Sequence, residues 1–301
     1  MPLPTEPIGS IPRPRELIEA VRGGSTPDKL DELYERALRD TIEQLEATGS
    51  PVITDGEQGK LSFATYPLAG LAGLAPDGVV IPFADGHTRQ LPRLTAGPFR
   101  YAQHADGYLE LALRYANVPV KQAVIAASAL SLLYPADGID GYPREVFLAD
   151  LVREAAADIR GALDGGADSV QIDFTEGRLA VKLDPSGQLL RSFTDLNNEV
   201  LAQFSAQERQ RIGVHTCPGG DQDSTHSADV DYAGLLPGLF SLNVGAFYIQ
   251  LASETDRPRV LRAIAEHARP GQRIFAKAVS RAGGRNAARV RRTRALTLDT
   301  G

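Results

Sequence analysis

The sequence predicts an α/β protein, a (β/α)8 TIM-type barrel whose last strand is missing or replaced by a basic tail. Three observations lead there. Strand-like runs alternate with segments whose apolar residues recur at helical spacing. The turns between them are short, and polar or acidic residues gather where the runs end. Such strand–helix–strand repetition demands right-handed crossovers and a parallel sheet.

The first strand is placed near 7–11. A helix opens at Ser25-Thr26-Pro27-Asp28, with an N-cap hydroxyl, a proline in the first turn and an acid facing the positive helix end. Leu30, Leu33, Tyr34, Ala37, Leu38, Ile42 and Leu45 keep helical spacing, and Gly49 stops it. Residues 51–57 read as the second strand. Runs at 78–83 and 88–94 flank Asp85-Gly86, a hairpin inserted into a βα connection. A helix near 101–116 leads to a strand at 120–126. The helix at 143–163 carries Phe147, Leu148, Leu151, Val152, Ala155 and Ile159 on one face, and Gly165-Gly166 closes it before the strand 169–173. Three more pairs follow: helix 195–206 with strand 211–216, helix 229–240 with strand 246–251, and a helix capped by Asp256-Arg257-Pro258 with strand 273–276. Seven strands result, one short of a complete barrel.

Composition narrows the function classes. The chain has 301 residues, a net charge of −6 and one cysteine, which excludes an intrachain disulfide and fits a reducing compartment. No apolar run approaches the ~20 residues of a membrane span. The first residues lack an apolar signal core, so a cytoplasmic protein without a membrane partner is expected. The acidic balance speaks against nucleic acid as a partner. Charge is uneven, however: residues 1–276 carry −12 and residues 277–301 carry +6. This sets a barrel domain, 1–276, apart from an Arg-, Ala- and Gly-rich tail, 277–301. The tail reads as the product of a shifted reading frame in place of native sequence, or as a genuine basic tail. Loss of the final strand would leave the first and seventh strands with unpaired edges.

Strand ends carry the chemistry in α/β barrels. His215 and Cys217 lie two residues apart, on one face of a strand that Pro218-Gly219-Gly220 terminates. Imidazole and thiolate suit a soft metal such as zinc; a lone cysteine also suits a small core position, and spacing alone leaves both readings open. Other strand ends give Gly9-Ser10, Asp55-Gly56-Glu57, Asp173 followed by Glu176 and Arg178, and Gln250 followed by Ser253 and Glu254. The polar loop 219–229 offers Asp221 and His226 as further ligands, or simply caps the next helix through Ser227 or Asp229.

The strings Ile8-Gly-Ser-Ile-Pro-Arg13, Thr54-Asp-Gly-Glu57, Val170-Gln-Ile-Asp173 and Gly213-Val-His-Thr-Cys217 occur in an order that resembles the cobalamin-independent methionine synthases. The resemblance is to short, single-barrel relatives of their catalytic C-terminal domain, and it spans about residues 5–276. It implies a zinc enzyme that moves a methyl group from a 5-methyl-tetrahydrofolate-type donor to the thiol of homocysteine, giving methionine. By the same resemblance His215 and Cys217 match zinc ligands, while Ser10, Glu57 and Asp173 match positions that hold the amino-acid end of homocysteine. The family's glutamate ligand falls at Gln250, with Glu254 as its substitute, and no cysteine follows Cys217 to serve as a fourth ligand. There is no tryptophan to stack on a pterin. Two other readings fit the same residues: a ligand-binding remnant without activity, and a superfamily relative with another methyl donor or with uroporphyrinogen decarboxylase-like chemistry.

Overall fold

A computed structural model describes residues 5–83, 86–217, 231–251, 254–277 and 293–296. Five parallel strands form its centre: β6 (Lys121–Ile125), β7 (Ser169–Asp173), β8 (Ile212–Thr216), β9 (Ala246–Gln250) and β10 (Arg273–Lys277). Every residue of β6 to β9 is buried, as expected of a parallel sheet covered on both faces. Period-two alternation separates those faces. Val124, Ile172, Val214, Phe247 and Ile274 join the main apolar core with the helices. Ala246, Tyr248 and Phe275 face the other way and pack with Ile8 as a small separate cluster.

The ends of this sheet depart from expectation. The first strand is only β1 (Thr5–Glu6), and the second contributes a single parallel bridge, Ile53 to Val120. Beyond Ile53 the chain turns through Gly56 and Glu57, both in the left-handed region, so a ladder cannot continue there. The tail adds a strand that the sequence reading did not anticipate. β11 (Thr293–Leu296) pairs antiparallel with β10 on one side and with β1 on the other. Those two edges are therefore paired, contrary to the expected open seam, although by an antiparallel strand where a regular barrel has a parallel one. The strand order is β1-β11-β10-β9-β8-β7-β6, with β2 (Leu74–Ala75), β3 (Val80–Pro82), β4 (Thr88–Gln90) and β5 (Arg93–Leu94) outside it. β3 and β4 form the expected hairpin, and β2 pairs with β5.

Local chemistry fixes the helices. Thr26 in an extended conformation and Pro27 at the first helical position open helix Pro27–Glu46, which buries Leu33, Ala37, Leu38, Ile42 and Leu45. Each buried leucine or isoleucine is worth roughly 1.5–3 kcal/mol of transfer free energy. Helix Arg144–Asp164 buries Phe147, Leu151, Ala155 and Ile159, and beside them a stripe of acids at helical spacing. Asp150 accepts from the Tyr142 hydroxyl at 2.6 Å, Glu154 from the Tyr101 amide at 3.0 Å, and Asp158 from the Ala105 amide at 2.6 Å and from the Tyr66 hydroxyl. The stripe thus ties the irregular segment 99–105 to the helix. The helix expected at 195–206 runs instead over Gln188–Leu201. Asp184 accepts the Ser186 and Leu189 amides and starts it early, and a Ser205–Glu208 capping box opens a separate short helix after it. Asp231, rather than Ser227 or Asp229, caps helix Tyr232–Leu239, and Asp256 caps helix Arg257–His267 as expected. Among the described residues no helix is long and apolar enough to cross a membrane.

Candidate functional site

Parallel pairing brings the ends of three strands together. Asp173 is the cross-strand partner of His215, and His215 of Tyr248, so neighbouring backbones stand about 4.8 Å apart and these side chains share one face. The His215 Nδ1 lies 3.0 Å from the Tyr248 carbonyl oxygen. A carbonyl only accepts, so Nδ1 carries the proton; this fixes the tautomer and the ring plane. Cys217 follows directly after β8 and is half-buried.

Opposite them stands a carboxylate built by the turn 54–58. The Gly56 amide donates to Thr54 Oγ1 at 3.1 Å and the Glu57 amide to Asp55 Oδ1 at 2.9 Å. Gly56 and Glu57 have φ of 62° and 55°. For glutamate that conformation costs on the order of 1 kcal/mol or more and persists only where the surroundings over-determine it. The surroundings do so here: the Ser10 amide and hydroxyl both donate to Glu57 Oε1, at 3.1 and 2.7 Å. Gly9 permits this approach, since a Cβ there would come within 3.1 Å of the same oxygen. Arg13 donates to the Glu57 and Gln58 carbonyl oxygens at 3.3 and 3.1 Å and locks the two loops together.

Two further side chains complete the cluster. Gln171, two residues before Asp173 on β7, donates through Nε2 to Asp173 Oδ1 at 2.8 Å. Burial, reinforced by the Glu57 charge, pushes the Asp173 carboxyl up to about 7. Lys60 places its ammonium 3.5 Å from Glu57 Oε2. Burial alone would lower the Lys60 pKa, but the carboxylates of Glu57, Asp55 and Asp173 outweigh it and hold the ammonium charged. Sequence reasoning passed over both residues, although Gln171 shares the face of Asp173 and Lys60 lies three residues beyond Glu57.

The remaining candidates have partners of their own. Glu254 Oε1 accepts from Arg178 at 2.7 Å, and that guanidinium also covers the Tyr232 ring at 3.9 Å. Glu176 accepts from the Ser128 hydroxyl, which in turn accepts from Asn197 at 2.7 Å, and burial pushes its carboxyl up to about 8. Gln250 ends β9 and is buried. Asp221, His226 and Ser253 lie outside the described residues. Imidazole and thiol are donor types that zinc takes, so His215 and Cys217 fit half of such a site. A catalytic zinc keeps about three protein ligands, and among the described residues no group of three His, Cys, Asp or Glu could hold a metal ion.

Solved structures give the architecture a precedent. The chain aligns with a B12-independent methionine synthase from a Shewanella species, determined in complex with selenomethionine, at a TM-score of 0.62 and 15% identity, covering 93% of this chain and 82% of that one. It aligns with a Listeria monocytogenes protein assigned as a vitamin B12-independent methionine synthase at 0.65 and 21%, covering 91% and 79%. The chain has the methionine synthase fold. No family model matches it, and no curated protein matches it. At these identities the likeness concerns architecture alone.

Proposed function

We propose that residues 1–276 transfer a methyl group from a 5-methyl-tetrahydrofolate-type donor to the thiol of homocysteine, giving methionine, in the cytoplasm. The observation that carries this reading is the buried Glu57 carboxylate, held by the exposed Ser10, beside Asp173 and its strand neighbour His215. Two neighbouring buried carboxyl groups suit an α-ammonium, because a charge-assisted hydrogen bond both neutralises and orients it. In that role Glu57 and Asp173 hold the amino group of the substrate, and Ser10 fixes Glu57. The substrate sulfur then points along the rim toward His215 and Cys217. The selenomethionine bound by the Shewanella protein is a close analogue of the product of this reaction.

Zinc is the metal this reading implies, with His215 and Cys217 as two of its ligands; it would keep the substrate sulfur a thiolate near neutral pH. Glu254, the proposed third ligand, accepts from Arg178 through Oε1, which would leave its other oxygen for the metal. The test combines metal analysis with a methylation assay on the whole chain. Stoichiometric zinc that is lost in Cys217→Ser, with methionine formed from homocysteine and 5-methyltetrahydrofolate, supports the reading. Protein that binds neither zinc nor homocysteine contradicts it and favours a remnant of the fold without this activity.

A further inference from the structure

We propose that Lys60 is a positioning residue: it holds Glu57 for an incoming primary amine and so makes the pocket select amine-bearing thiols. This rests on the reading of Glu57 and Asp173 as the amino-acid end of the substrate site.

Lys60 is 1% exposed and emerges from the same turn as Glu57. Its ammonium donates to the Ala123 carbonyl oxygen at 2.6 Å and lies over the rings of Tyr66 and Tyr108, 4.4 and 5.9 Å from their centres. None of these contacts requires a lysine for packing, and burying an ammonium costs several kcal/mol unless charge compensates it (about that size after relaxation). The compensation comes from Glu57, at 3.5 Å, and from Asp55 and Asp173. Three carboxyl groups therefore lie around Lys60, and Lys121 also acts on Asp173.

The two oxygens of Glu57 are unequal. Oε1 accepts from the Ser10 amide and hydroxyl, while Oε2 is buried with no hydrogen-bond partner. A buried acceptor of that kind calls for a donor. Lys60 is close enough to attract Oε2 and too far to hydrogen-bond it, so it sets the direction of the carboxylate and leaves the acceptor for a ligand N–H. A substrate α-ammonium supplies that N–H together with a positive charge. A thiol without an amine supplies neither.

Calorimetric titration of the whole protein with L-homocysteine and with 4-mercaptobutanoate, the same thiol acid lacking the amine, tests this. The wild type is expected to prefer L-homocysteine. Lys60→Gln removes the charge that directs Glu57 Oε2, and its affinity for L-homocysteine should fall about 10-fold or more, the effect of a misplaced acceptor. Its affinity for 4-mercaptobutanoate should stay within about threefold, and Lys60→Arg should retain most of the preference. A residue with a merely structural role would weaken both ligands alike. Discrimination that survives in Lys60→Gln overturns the proposal while leaving the substrate assignment intact. A wild type that binds both thiols equally, or neither, overturns the substrate assignment and this proposal with it. If neither Lys60→Gln nor Lys60→Arg folds, Lys60 is a structural residue and the proposal fails.

Discussion

Glu57 shows how single residues shape this pocket, because its strained backbone, its Ser10 partner and the bare Cα of Gly9 all serve one carboxylate oxygen. Gly9→Ala should push that oxygen by a few tenths of an ångström. L-homocysteine affinity measured by calorimetry should then drop about 3- to 10-fold, in keeping with the steep cost of misplacement, with little change in melting temperature. Glu176 offers a test through pH. Its folded pKa of about 8 lies above the unfolded value of about 4.3. The native state therefore holds more protons than the unfolded chain between those limits, and this residue's contribution to stability falls as pH rises through that window. Urea unfolding should show wild type losing ground to Glu176→Gln between pH 5 and pH 8; a constant difference would contradict the assignment. At this scale much was legible from sequence. Glu57 and Asp173 stand out in the sequence because acids at strand ends make poor core members, and His215 because it shares a strand face with Cys217. Lys60 does not stand out because a loop lysine ordinarily stays in solvent, and the bond between Glu254 and Arg178 depends on a loop meeting helix Glu176–Leu183 in space.

Between elements, buried charge ties the shortest strand to the sheet. Lys121 at the start of β6 bonds Glu6 of β1 at 3.2 Å and the Pro7 carbonyl oxygen at 2.8 Å, and its ammonium lies 3.7 Å over the Tyr248 ring. The Tyr248 hydroxyl donates to the same Glu6 carboxylate at 2.9 Å. Removing one partner leaves a buried charge alone, so Glu6→Ala should cost about 3–5 kcal/mol in urea unfolding, and adding Lys121→Met should recover most of it. Full additivity of the two substitutions would contradict the coupling. Helices with proline, acid or hydroxyl starts were readable from sequence because their caps are local, as at Thr26-Pro27 and Asp256. The ends of the sheet were not: β1 has two residues, the second strand has one bridge, and β11 pairs across more than 280 positions with β1. Pairing at that distance leaves no local pattern to read.

For the whole molecule, the alternation of helices and strands specified the architecture that the methionine synthase structures share, and the strand order places Asp173, His215 and Tyr248 side by side. The charge division between residues 1–276 and 277–301 marked the point where regular alternation stops, but composition could not reveal that part of the tail pairs with both neighbouring strands. An amino-acid thioether should sit at this rim. A crystal structure with L-methionine, the expected product, tests it most directly. Its ammonium should contact Glu57 Oε2 and Asp173, with the sulfur facing His215 and Cys217. A ligand bound away from Glu57, or a crystal soaked with L-methionine that shows none at this rim, would contradict it.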